Sequence, residues 1–213
     1  MAHTFEGAES ALASRATTEG AVAARKLSRS MVDKLVSWSG IVVAVALIAL
    51  GAAAIYGGSF AQSNVRDRLA PQNISFPPAS AMTPEEKAEG LTQFAGQKVD
   101  TGTEAEAFSR YIGGHLLAIN DGKSYSETSS ESRAYAAEVG ESPTEAQAAT
   151  MAENSGKTDT LFKGETLRSI LLNAYGWWTV GTITFFAGIG MVIAGAVLAL
   201  LAGLGFWHSR KTS

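Results

Sequence analysis

The chain has 213 residues, 17 Lys+Arg against 20 Asp+Glu, a formal charge of −3 and no cysteine. That length accommodates one or two domains, the charge balance lacks the basic excess of a nucleic-acid binder, and the missing cysteine excludes disulfides, thiolate metal sites and a cysteine nucleophile. Charged residues make up 17%, against ~25% in an ordinary soluble domain, and two stretches account for the deficit.

Residues 1–38 form the first segment, and 1–30 are rich in Ala, Ser, Thr and Gly with few large apolar side chains. Such a composition buries too little surface to offset chain entropy, so the arm reads as largely flexible. Residues 39–60 then give 22 positions without a charge, and about 20 helical residues cross a bilayer core of ~30 Å. Ser59 and Ala61 loosely resemble a signal-peptidase site. The apolar run nevertheless exceeds the ~7–15 residues of a signal core and follows a long arm, so it reads as an uncleaved anchor.

Between 61 and 176 helix-start signals recur. Thr83-Pro84-Glu85-Glu86 carries a capping threonine, a first-turn proline and a glutamate placed to reach back. Thr103-Glu104-Ala105-Glu106 and Ser142-Pro143-Thr144-Glu145 repeat the logic. A helix over 104–119 places Phe108, Ile112, Leu116 and Ile119 on one stripe, ending at the Asn120-Asp121-Gly122 turn. Another helix covers 130–139. Only Asn73-Ile74-Ser75-Phe76 looks extended. Leu161, Phe162, Ile170, Leu171, Ala174 and Tyr175 keep helical spacing up to Trp177, so the last helix runs on into a second span, although Gly164 and Gly176 weaken it.

That second span, 177–206, has 30 uncharged positions; the tail is 207–213. Arg25, Lys26, Arg29, Lys34, Arg210 and Lys211 flank the two spans on the terminal side, against Arg66, Arg68, Lys163 and Arg168 on the loop side. The loop carries 10 basic and 16 acidic residues, hence −6. The positive-inside rule then puts both termini in the cytoplasm and 61–176 outside the plasma membrane. Trp38, Trp177, Trp178 and Trp207 sit where membrane-interface anchors belong. The expected fold is all-α: two transmembrane helices with a small α-helical extracytoplasmic domain between them.

Reactive constellations are absent from the pattern. Asn154-Ser155-Gly156-Lys157-Thr158 ends like a P-loop, but its first glycine is replaced by Met151. His3, His115 and His208 are divided between the two sides of the membrane, so they cannot share a metal. His115, beside Tyr111, is a candidate contact of the outer domain. Neither span contains Asp, Glu, Lys, Arg or His, the groups on which proton relays and ion paths depend. Small residues four apart, Ala49, Ala53 and Gly57 in the first span and Gly190, Ala194, Gly195, Ala199 and Gly203 in the second, are candidate helix-packing positions.

Val65-Arg66-Asp67-Arg68-Leu69 followed by Gln72-Asn73-Ile74-Ser75-Phe76-Pro77 resembles a group of small actinobacterial two-span membrane proteins. So do His115-Leu116-Leu117, Gly122-Lys123-Ser124-Tyr125 and Leu167-Arg168-Ser169 ahead of a Gly/Ala-rich span. The resemblance covers roughly 40–206 and implies a membrane protein without assigned catalytic residues. Members are often labelled aromatic ring-opening dioxygenase, a chemistry whose non-haem iron site needs two histidines and a carboxylate to converge, whereas only His115 lies on the outer side. The expected role is therefore non-catalytic, with no cofactor or metal. The chain would act as an accessory or assembly subunit docked on other integral membrane proteins, a respiratory complex being the concrete case, with membrane lipid and a second copy as further partners. The alternative is an extracytoplasmic ligand-binding or envelope-sensing module.

Overall fold

The computed structural model describes the backbone of residues 3–211 and the side chains of 31–208. Among the described residues there are five α-helices: α1 (His3–Leu69), α2 (Pro84–Ala88), α3 (Gly102–Ala118), α4 (Tyr125–Val139) and α5 (Glu145–Lys211). The arm read as flexible is continuous with α1. Its side chains lie outside those described, as do Arg25, Lys26, Arg29, Arg210 and Lys211. Strands are absent among the described residues. The extended stretch at Ser75 instead forms one antiparallel bridge with Lys98, flanked by Phe76 N–H to Gln97 O and Val99 N–H to Ile74 O, both 2.9 Å.

Two helices are long and apolar enough to cross a membrane, within Met31–Gln72 and Glu145–His208. Only 11% and 17% of their most apolar windows are buried, unlike the core helix of a soluble protein. The chain divides into two compact units, Met1–Ile55 with Phe186–Ser213, and Tyr56–Phe185.

In the first unit α1 and α5 run antiparallel at close approach. A Cβ at Gly51 would lie 2.7 Å from Gly188 O, and one at Gly188 would lie 2.6 Å from Gly51 O. A Cβ at Gly195 would meet Ala44 O at 2.9 Å and Ile48 Cγ1 at 2.8 Å, and Gly40 faces Ala202. Ser37, Ala44 and Gly51 on α1, and Gly188, Gly195 and Ala202 on α5, are all buried. Each series is spaced by seven, the repeat that holds two helices face to face along a left-handed seam. The four-residue spacing expected from sequence therefore does not mark this contact. Of the expected packing residues Gly195 is in the seam, Ala199 is half-buried, and Ala49, Ala53 and Ala194 are exposed. Gly190 and Gly203 have nothing within 4 Å of a Cβ.

In the second unit the core gathers Val65, Leu69, Phe76, Met82, Leu91, Val99 and Leu171. Phe76 is 3% exposed and lies between Phe94 (5.4 Å, stacked), Phe108 (5.1 Å, edge-on) and Tyr111 (6.3 Å). Three glycines allow the helices to close on this core. Gly102 lies under Trp178, Gly113 under the Arg168 guanidinium and Gly164 under Leu116. Gly164, which costs helix propensity, thus gains its place through packing. Gly58 and Gly181 continue the seven-residue spacing and meet in this unit.

Helix starts follow capping boxes, with shifted registers. Thr83 and Glu86 form the expected box: Glu86 N–H donates to Thr83 Oγ1 at 3.2 Å and Thr83 N–H to Glu86 Oε2 at 2.8 Å. Before α3 the box uses Thr101 with Glu104 rather than Thr103. Before α5 it uses Thr144 with Gln147, leaving Pro143 outside the helix. Helix α4 starts five residues earlier than expected because Ser124 caps it with Glu127. Bonds from the Ser124 backbone N–H and hydroxyl hold the Glu127 carboxyl below its ordinary value of 4.5. The contribution of this cap is therefore complete above that value and fades as pH falls through the lowered one. At the half-buried Thr83 box, Thr83→Ala should cost about 1 kcal/mol, measured by chemical denaturation of the full chain.

Candidate functional site

The second unit contains a cleft of about 1140 Å³. One face of α1 forms its floor through Gly57, Ala61, Val65 and Leu69, residues three or four apart that a helix aligns. Along one edge runs a second column four residues apart, Phe60, Asn64, Arg68 and Gln72, which passes from apolar to polar. Helix α5 supplies Leu167, Ile170, Leu171, Ala174 and Trp177, with Asn173 as its polar member, and Phe108, Ile112 and Ile74 complete the lining.

Arg68 is the one charged residue on the wall. Its Nε donates to Asn64 Oδ1 at 2.7 Å, which fixes the plane of the guanidinium. Its terminal nitrogens make no hydrogen bond or ion pair among the described residues. The apolar wall is uncovered: Phe60 is 60% exposed, Leu167 54%, Ile170 59% and Trp177 59%. An apolar concavity with a few fixed polar groups is the usual form of a ligand site, and ~300–1,000 Å³ is the usual size.

Tyr111 and His115 lie elsewhere, on α3 against α2. His115 Nδ1 is 3.1 Å from Tyr111 O and 3.3 Å from Glu86 Oε1. Both neighbours are acceptors, so this nitrogen carries the hydrogen. Glu86 is buried, its other oxygen tied to the Thr83 cap. Burial, and then the Glu86 charge, push the Tyr111 hydroxyl above its ordinary pKa. A raised tyrosine stabilises the fold below its unfolded value of ~10 and loses that contribution as pH rises through the folded one. This trio joins α2 to α3 and does not line the cleft.

Trp38, Trp177 and Trp207 are about 60% exposed. Trp178 differs. It is half-buried against Gly102, with the Arg66 guanidinium 5.6 Å from its ring, because the helical turn that sends Trp177 outward sends its neighbour toward α3. Among the described residues no three His, Asp or Glu side chains converge as metal ligands would.

The cleft escaped sequence reading because its walls come from residues 57–74, 108–112 and 167–177, brought together only by folding. The signal present was the run Leu167, Ile170, Leu171 and Ala174, apolar at helical spacing yet outside the uncharged span. No protein family, curated protein or solved structure matches the chain.

Proposed function

We propose that this chain is a two-pass plasma-membrane protein with both termini in the cytoplasm and residues 61–176 outside. It works without catalysing a reaction: its outer domain holds an apolar ligand in the cleft between α1, α3 and α5. The observation that carries this reading is the 1140 Å³ concavity itself, apolar-walled and open. Gly57 on the floor and Phe60 on the edge both belong to the uncharged span, so the cleft begins at the membrane boundary. Solvent extraction of protein purified in mild detergent, followed by mass spectrometry, should recover an apolar molecule at near one per chain. The exposed-wall variant Leu167→Glu/Ile170→Glu should recover little. Equal recovery from both proteins, or none from either, would count against the cleft as a binding site.

A second reading is an accessory or assembly subunit of a larger membrane complex, such as a respiratory assembly. It draws on Gly190 and Gly203, where open space would let another helix approach. A pull-down from native membranes tests it: one complex recovered stoichiometrically supports docking, and recovery without a partner opposes it.

A further inference from the structure

We infer that the occupant of the cleft is an acidic phospholipid, its acyl chains along the wall of Phe60, Ile170 and Leu171 and its phosphate on Arg68. This rests on the reading of the cleft as a ligand site at the outer membrane surface, and names the ligand.

The first support is apolar surface where the bilayer does not reach. Leu167 and Ile170 precede Trp177 by ten and seven residues, hence about 15 and 10 Å along the helix. Headgroups add only ~5–8 Å on each side of the hydrocarbon core. Both side chains are nonetheless more than half exposed. A contiguous apolar wall above the membrane needs a cover, and the bilayer beneath it is the nearest source of apolar chains.

The second support is the order of polarity. Phe60, Asn64, Arg68 and Gln72 follow one another up one edge of the cleft, and Arg68 stands about 12 Å above Phe60. A lipid drawn partly upward would have the same order: chains against Phe60, an ester region beside Asn64, and phosphate at Arg68. The third is charge. The wall contains one cation and no carboxylate. The guanidinium is held from Asn64 by its Nε alone, leaving its terminal nitrogens free for the forked donation that suits a phosphate.

The test is native mass spectrometry of the full-length protein in mild detergent, titrated with phosphatidylglycerol and phosphatidylcholine. Wild type should take one phosphatidylglycerol with about tenfold preference, because the choline ammonium of phosphatidylcholine already offsets the phosphate charge that Arg68 would pair. Arg68→Gln should weaken binding of both lipids, phosphatidylglycerol the more, and bring the two within about twofold. Leu167→Glu/Ile170→Glu, at exposed positions, should lose both, with unaltered thermal unfolding as the folding control. Equal binding of the two lipids by wild type, still abolished by the wall variant, would overturn the acidic headgroup and leave the cleft reading intact. Lipid binding that ignores the wall variant, or a co-purifying polypeptide that the wall variant releases, would overturn the lipid assignment altogether.

Discussion

Phe76→Ala should unfold most of the second unit. The side chain is 3% exposed and touches Phe94, Phe108 and Tyr111, so truncation removes its own burial and leaves three rings facing a void. Phenylalanine-to-alanine changes in such cores cost about 3–5 kcal/mol, a large share of the ~5–15 kcal/mol of a whole domain. Limited proteolysis of the full chain in detergent should show cuts between α1 and α5 that the wild type resists. Ile119→Ala is the control: Ile119 is 57% exposed, and its loss should change stability by less than about 0.5 kcal/mol. Equal protease resistance in both variants would mean that Phe76 does not organise this core.

Gly188→Leu and Gly190→Leu should have opposite outcomes although the positions are two residues apart. At Gly188 a Cβ would meet Gly51 O at 2.6 Å and Ile55 N at 2.8 Å. Both are backbone atoms of the facing helix, so relief requires the helices to part. Overpacking of this kind costs about 1–3 kcal/mol or more, and the whole antiparallel seam shares the displacement. At Gly190 nothing lies within 4 Å, and leucine is the better helix former by under about 1 kcal/mol. Thermal unfolding in detergent should therefore fall by many degrees for Gly188→Leu and hold or rise for Gly190→Leu. If Gly190→Leu instead keeps its stability but loses a co-purifying complex, the accessory-subunit reading gains.

The sequence made the long helices legible because charge is absent from 39–60 and 177–206, and helical spacing persists through Tyr175 into the second of them. The Thr83 box and the extended Asn73–Phe76 stretch were legible because both are local. Other features depend on what lies opposite. Small residues four apart are conspicuous in a Gly/Ala-rich run, but the antiparallel partner selects those seven apart, Ala44 and Gly51 against Gly188 and Gly195. The start of α4 was missed because its own Ser124-to-Glu127 spacing competed with the more prominent Asn120-Asp121-Gly122 turn just ahead. Arg68 looked like an ordinary loop-side cation. Only the fold shows it alone on an apolar wall beside Asn64. Tyr111 and His115 are neighbours on the helix best defined by sequence, and both face Glu86.

On the proposed topology two spans carry residues 61–176, and the cleft within them, outside the membrane. The native chain has no cysteine, so one introduced thiol reports alone. In intact cells a membrane-impermeant maleimide should label Ser80→Cys, an exposed position between the spans. A cysteine added after Ser213 should react only once the membrane is opened. Labelling of the C-terminal cysteine in intact cells, with Ser80→Cys protected, would invert the orientation and place the cleft on the cytoplasmic side. Recovery of the protein in the soluble fraction would mean that neither helix crosses a membrane.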